Sequence, residues 1–422
     1  MGRSFTQGSV SINLEKAGAD RYTKASYPLR YGHYSEIVTH DAIYHFHPGG
    51  EIWFARGRGA LWPDQQEWLK RSAGNDWIYY STGGYTGVFE AIGEYYLPNL
   101  QYPSNALIGG TPFAAPHVRR LINGWYEQLV SLRHRLRNAP RDVDAFLEKV
   151  LANGPAVLAE KARRLFQIGD GRVTVLPPDG RHVDYDIIPL NISTGCLYKC
   201  RFCKVKNKKL FRQREKSEID YQLGELQELY GENLSNYNSI FLGEHDALCC
   251  RSELLLYSVQ AAYEQLGFSR SSMRGANVFL FGSVDSFLAC TESLLEDLNR
   301  LPVNVFINLG LESVDQKTLD VIGKPVDASR VEEAFRRMLD VNDRFQNIEV
   351  SANFLMDESL PSHHYHSFLH LCRDSISRNR VKGAIYLSPL RFGAPSRELL
   401  FSFNRLKLQS RLPTYLYIIQ RL

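Results

Sequence analysis

The chain has 422 residues, 44% hydrophobic and 23% charged, ordinary globular values that exclude a disordered chain, a collagen-like repeat and a small disulfide scaffold. The formal net charge of +4 is too small to indicate a nucleic-acid partner by itself, so any basic patch must be local. Seven cysteines, an odd and modest number, do not make a disulfide framework. No run approaches the ~18 apolar residues of a membrane span, and the first residues lack the apolar core of a secretory signal. A soluble, cytoplasmic protein is expected.

Residues 1–185 read as a separate N-terminal extension. All five tryptophans (Trp53, Trp62, Trp68, Trp77 and Trp125) lie there, beside tyrosine- and glycine-rich stretches such as the one from Tyr79 to Tyr85. We expect loops and short elements around an aromatic core, then helices, hence an aromatic-rich, mainly helical extension covering the mouth of the next domain as a possible substrate cap. Val118, Leu121, Ile122, Trp125, Leu129, Leu132 and Leu136 recur at steps of three and four and predict an amphipathic helix between Pro116 and Arg137. Further helices are expected over 143–151 and 156–166. A hairpin is expected from 172–175 through the turn Pro178-Asp179-Gly180 to 182–186.

From there the pattern becomes regular. Short apolar runs at 187–192, 239–242, 278–281, 303–309, 348–355 and 384–387 predict six buried strands. Helical segments are expected between them at 221–230, 254–266, 292–301, 331–341 and 364–376. Strands that alternate with helices imply an α/β fold with a parallel sheet, whose chemistry sits at the carboxyl ends of the strands. The expected division is an extension over 1–185, a core domain over 186–390 and a tail over 391–422 packed on the core.

Three cysteines follow the first of these strands directly: Cys196, Cys200 and Cys203, spaced Cys-x3-Cys-x2-Cys. Their place is that of an active-site loop, and thiolates suit an iron-sulfur cluster or zinc. Three ligands on a four-iron cluster leave one iron open. A structural zinc would want a fourth ligand nearby, and no histidine lies between residues 182 and 245, although a distant residue can supply one.

With these residues in place the sequence resembles the radical S-adenosylmethionine (radical SAM) superfamily, whose motif is this cysteine loop after the first strand of a partial (β/α)6 barrel of TIM type. The resemblance extends to an aromatic residue before the third cysteine, Phe202. It implies a 4Fe-4S cluster on Cys196, Cys200 and Cys203 whose open iron chelates S-adenosylmethionine. One-electron cleavage to methionine and a 5′-deoxyadenosyl radical, which abstracts a substrate hydrogen, is implied with it. Gly243 and Glu244, after the second strand, stand where the family binds the methionine amino group. The segment from Gly310 through Glu312 and Ser313 is similar to its ribose and carboxylate segment, and Lys324 is placed to neutralise the methionine carboxylate. The fifth and sixth strands would contact adenine, although Met356 stands where a glycine is frequent.

Other groups carry weaker expectations. Cys249, Cys250, Cys290 and Cys372 read as packing residues. His45, His47 and Glu51 have the spacing of a cupin metal site, against a polar loop as the alternative, and His363, His364, His366 and His370 read as exposed helix decoration. Lys204, Lys206, Lys208, Lys209, Arg212, Arg214 and Lys216 form a basic stretch beside the third cysteine, where an acidic reductant such as flavodoxin or ferredoxin would dock. The substrate is not identified. A cluster-containing haem or cofactor chaperone on the same fold, and a zinc-stabilised structural protein, are the alternative functions.

Overall fold

The computed structural model describes residues 3–23, 30–62, 64–82, 88–101, 111–175, 179–203, 210–243, 245–389, 396–417 and 420–421. The first hundred residues build one eight-stranded antiparallel sheet in chain order: β1 (Ser4–Gln7), β2 (Val10–Ala17), β3 (His33–Val38), β4 (Ala42–Phe46), β5 (Ile52–Gly57), β6 (Trp68–Arg71), β7 (Trp77–Ser81) and β8 (Leu97–Leu100), with the short helix α1 (Val88–Ile92) before the last strand. This corrects the expectation of loops. Both faces of the sheet are apolar: Trp77 and Tyr79 of β7 belong to one core, and Ile78 and Tyr80 to another. A strand buried on both sides shows no apolar/polar alternation, so its period is invisible in the sequence.

The first face is covered by α2 (Pro116–Arg135), α3 (Arg141–Ala152) and α4 (Pro155–Ile168), which pack Val118, Leu121, Trp125, Leu129, Leu147 and Leu158 against Ile12, Ile37, Tyr44, Phe46 and Leu69. The helical expectation therefore holds for the second half of the extension only. After β9 (Thr174–Val175) and the single turn α5 (Asp179–His182), Asp184 and Tyr185 take left-handed φ values of 48° and 66°. They turn the chain into the next domain, and among the described residues the expected hairpin pairing is absent, since Thr174 and Val175 pair with Arg421 and Gln420.

Among the described residues that domain has seven parallel strands rather than six: β10 (Ile188–Leu190), β13 (Ser239–Leu242), β14 (Asn277–Gly282), β15 (Asn304–Glu312), β16 (Ile348–Met356), β17 (Ile385–Pro389) and β18 (Thr414–Leu416), hydrogen-bonded in that order. The intervening β11 (Ser193–Thr194) and β12 (Arg212–Gln213) form a two-stranded clip. The helices are α6 (Lys216–Tyr230), α7 (Ser252–Gln265), α8 (Val284–Ala289), α9 (Glu292–Arg300), α10 (Gln316–Ile322), α11 (Ala328–Arg344), α12 (Ser362–Leu369) and α13 (Arg397–Gln409). They pack on Ile240, Leu242, Val278, Leu280, Val305, Ile307 and Leu309 in the main core. Alternate residues Phe241, Phe279 and Phe306 gather on the opposite, inner face. The architecture is a partial barrel, and residues 397–416 are part of it, through α13 and the seventh strand, rather than a tail. At the end of the chain β19 (Gln420–Arg421) pairs with β9.

The second face of the N-terminal sheet meets the barrel at the strands' amino ends. Lys70 Nζ, fully buried, lies 2.7 Å from Asp186 Oδ2 and 3.2 Å from Asp184 Oδ2, just before β10. Asn236, before β13, exchanges two 2.7 Å hydrogen bonds with the backbone of His33, and the Arg274 amide, before β14, donates to Asp20 O at 2.7 Å. These contacts fall at the end opposite the cysteine loop, so the expected cover over the mouth is corrected: the described sheet closes the barrel floor.

Candidate active site

The cysteine loop leaves β10 through the clip of β11 and β12, where Ser193 faces Gln213 and Thr194 faces Arg212. Gly195 turns it at φ 76°. Its far side is tied to the end of α10, where the sequence Ile322-Gly323-Lys324-Pro325 forms a helix stop. Gly323 is left-handed (φ 64°), and the Lys324 amide reaches back to Leu319 O at 3.0 Å. The Arg201 amide donates to Ile322 O at 3.1 Å, and its guanidinium donates to Asp320 O at 2.8 Å. A cation here also meets the negative end of the helix. Phe202 packs half-buried against the main core. The clamp thus brings the cysteines and Lys324 to one place.

Cys200 is buried, and Cys196 and Cys203 are half-buried. Burial pushes the Cys196 thiol up and the Cys200 thiol up to about 11. Lys324 pulls Cys200 down, while Glu312, Cys203 and Cys196 push it up, so all five groups lie within electrostatic reach. A bound metal would deprotonate such thiols outright.

Glu312 ends β15 in an unusual way. The register with β16 slips between Gly310 and Glu312, and Glu312 has φ 67°, a strained conformation for a non-glycine residue. Its carboxylate is buried 3.9 Å from the equally buried Lys324 Nζ. A Cβ on Gly310 would lie 2.8 Å from Glu312 Oε1, so glycine leaves the room that the pair needs. Burial pushes the Glu312 carboxyl up, and Lys324 partly offsets this. Among the described residues neither Glu312 nor Lys324 makes a hydrogen bond within 3.5 Å through its side chain.

Gly243 turns at φ 79° after β13, its amide bonded to Leu190 O at 3.1 Å. Glu244 lies outside the described residues, as do Lys204, Lys206, Lys208 and Lys209. Of the remaining basic residues, Arg212 and Arg214 pair with Glu218, and Lys216 pairs with Glu253. Ser313 is fully buried, and its hydroxyl donates to His364 Nδ1 (2.8 Å) and accepts from the Asp315 amide (3.0 Å). His364 in turn donates through Nε2 to Leu355 O at 2.8 Å. Ser313 is therefore committed to packing the strand ends, and His364 is a buried bridge rather than exposed decoration.

Several site residues were missed. Asn308, Ser351 and Asn353 alternate with apolar residues along β15 and β16. Asn353 Nδ2 donates to Asn308 Oδ1 (2.7 Å), Asn308 Nδ2 donates to Ser351 Oγ (2.9 Å), and Asn353 Oδ1 is buried without a partner among the described residues. The polar residue at every second position of a buried strand was the available signal. Asp246 is buried near Cys196 and Cys249, with its Oδ1 bonded to Ser286 at 2.7 Å. Cys250, Cys290 and Cys372 are buried as expected, whereas Cys249 is half-buried.

His45, His47 and Glu51 do not converge. His45 Nε2 lies 3.0 Å from Glu36, His47 stacks on Trp53 at 4.1 Å, and Glu51 pairs with Lys161 at 2.7 Å. Among the described residues no three His, Cys, Asp or Glu side chains meet at a point that one metal ion would occupy. Thiolates that ligate separate irons of a cubane have no need to meet at one point.

Residues 190–350 match the family model of the Radical SAM superfamily. They form a radical SAM domain. The chain is thus an enzyme of S-adenosylmethionine-dependent radical chemistry, and its cofactors are a 4Fe-4S cluster and S-adenosylmethionine. The residues present fit both: three clustered thiols for iron, and a buried ammonium, a buried carboxylate and the orphaned Asn353 oxygen for a zwitterionic, hydrogen-bonding ligand. The chain is similar to Streptococcus suis SuiB bound to S-adenosylmethionine at 10% identity, covering 84% of this chain and 72% of that one, with a TM-score of 0.37. It is similar to the cobalamin-dependent enzyme OxsB at 16% identity (53% and 31% covered, TM-score 0.34) and to methylornithine synthase PylB at 14% (71% and 84%, 0.33). No curated protein sequence matches it. Among the described residues no helix is long and apolar enough to cross a membrane.

Proposed function

We propose that Cys196, Cys200 and Cys203 hold the cluster with one iron open, and that Lys324 and Glu312 receive the polar part of S-adenosylmethionine. The observation that carries this is the buried Lys324 and Glu312 pair beside the three thiols. A buried charge is costly unless it is hydrogen-bonded, and these two are held apart at 3.9 Å. A ligand carrying its own carboxylate and donor groups supplies what each lacks. Lys324 takes the carboxylate, Glu312 accepts from an amino or hydroxyl group, and Asn353 Oδ1 accepts a further donor. The Gly243 turn borders the same end of the barrel, and Glu244 follows it in the sequence. Phe202 anchors the loop against the core.

When bound, the reduced cluster supplies the electron that cleaves S-adenosylmethionine to methionine and a 5′-deoxyadenosyl radical, which takes a hydrogen atom from the substrate. A one-electron donor such as flavodoxin or ferredoxin provides the reducing equivalent. We place the domain boundary at residue 185 and carry the core to residue 416.

Anaerobic reconstitution tests the assignment. About four irons per chain are expected, with a reduced-cluster electron paramagnetic resonance (EPR) signal that shifts on adding S-adenosylmethionine, and 5′-deoxyadenosine on reduction. A protein that binds no iron, or that yields no more 5′-deoxyadenosine than Cys200→Ala, overturns it.

A further inference from the structure

The cysteine loop carries an aromatic residue that the family motif does not require. Tyr198 lies between Cys196 and Cys200, and Lys324 Nζ sits 5.2 Å from the centroid of its ring. The ring is fixed from behind. The Tyr198 hydroxyl donates to Asp285 Oδ2 and accepts from the Asp285 amide at 3.3 Å. Asp285 is in turn gripped by Arg330 through Nε at 3.1 Å and a terminal nitrogen at 2.9 Å. A rigid π face, anchored to α8 and α11, therefore stands against a flexible buried ammonium.

Lysine has a long stem with considerable rotamer freedom, and a carboxylate within reach in a dry site draws it into a direct ion pair. Here the ammonium stops 3.9 Å from Glu312, beyond hydrogen-bonding distance. Its donors consequently stay available. The quadrupole of the ring attracts the cation without using up an N–H donor, which a second carboxylate would do. We propose that Tyr198 is a positioning residue that holds the Lys324 ammonium at the cysteine loop, short of Glu312, and so sets the affinity for the carboxylate of S-adenosylmethionine.

The proposal rests on the assignment of Lys324 above, and two measurements separate the two. In reconstituted holoenzyme, equilibrium dialysis with S-adenosylmethionine is expected to show a Kd raised roughly tenfold in Tyr198→Leu and less than about threefold in Tyr198→Phe, which keeps the ring. Lys324→Met weakens binding as well, and the double variant Tyr198→Leu/Lys324→Met is no weaker than Lys324→Met alone, because the ring acts only through the lysine. Wild-type affinity in Tyr198→Leu, or a further loss in the double variant, overturns the proposal. In the cluster-free chain, acylation of Lys324 by acetic anhydride, followed by peptide mass spectrometry, reads the position of the ammonium directly. Its rate is expected to change several-fold in Tyr198→Leu and little in Tyr198→Phe. An unchanged rate in Tyr198→Leu overturns the proposal even if that variant fails to load iron. Absence of S-adenosylmethionine binding by wild-type holoenzyme, with a changed acylation rate, counts against the role of Lys324 and leaves its placement by Tyr198 standing.

Discussion

A Cβ placed on Gly323 would come 2.4 Å from Arg201 Nε. Any side chain at Gly323 would have to displace the Arg201 side chain from the end of α10, and Gly323 also has a left-handed φ of 64°. Gly323→Ala is expected to cost about 1 kcal/mol or more and to loosen the cysteine loop. Thermal melting of the cluster-free chain and iron retention after gel filtration check this. Arg201→Ala should recover part of the stability lost in Gly323→Ala. A Gly323→Ala protein that melts and retains iron like wild type would show that the clamp does not shape the site.

Ser313 and His364 are expected to behave as a structural couple. Ser313→Ala leaves His364 Nδ1 buried without its donor, a loss of about 1–3 kcal/mol. The measurement is a denaturant midpoint for Ser313→Ala, His364→Ala and the double variant, with losses that are not additive. If Ser313→Ala keeps full stability but weakens S-adenosylmethionine binding, its hydroxyl contacts the cofactor instead.

Lys70 joins the N-terminal sheet to the barrel. It is fully buried between two carboxylates, with Asp186 at 2.7 Å and Asp184 at 3.2 Å. Lys70→Met leaves both acids buried without their cation and should cost about 3–5 kcal/mol. Chemical denaturation of the cluster-free chain measures it, and a loss under 1 kcal/mol would contradict the buried arrangement.

Asp184 adds a pH dependence. Burial pushes its carboxyl up to about 6, with Lys70 pulling in the opposite direction. The folded chain then holds a proton that the unfolded chain, with an ordinary aspartate pKa near ~4, has released. Stability from this group is full below pH ~4 and is lost as pH rises through about 6. Asp184→Asn should flatten that fall. The difference between wild-type and variant midpoints, measured from pH 4 to 7, is the test, and parallel curves would exclude Asp184 as the titrating group.

Much of the site could be read before the fold. The Cys-x3-Cys-x2-Cys spacing after a buried strand and the strand and helix alternation from residue 187 onward are local patterns, because thiol spacing and burial on a parallel sheet leave local marks. The aromatic strands of the N-terminal sheet left none, since residues on both of their faces are buried. The seventh strand, Thr414–Leu416, is defined by its parallel pairing with β17, a contact between distant segments that leaves no local mark.

The sequence by itself determined the class of chemistry and the three cysteines, through residue types whose spacing a loop must obey. Only the tertiary structure decided which distant residues meet: that Arg201 seats on Ile322 and Asp320, that Lys324 and Glu312 are buried together beside the thiols, that Ser313 turns to His364, and that the described sheet of the extension closes the barrel floor. Those relationships depend on loop closure and packing between segments up to hundreds of residues apart, and no local spacing encodes them.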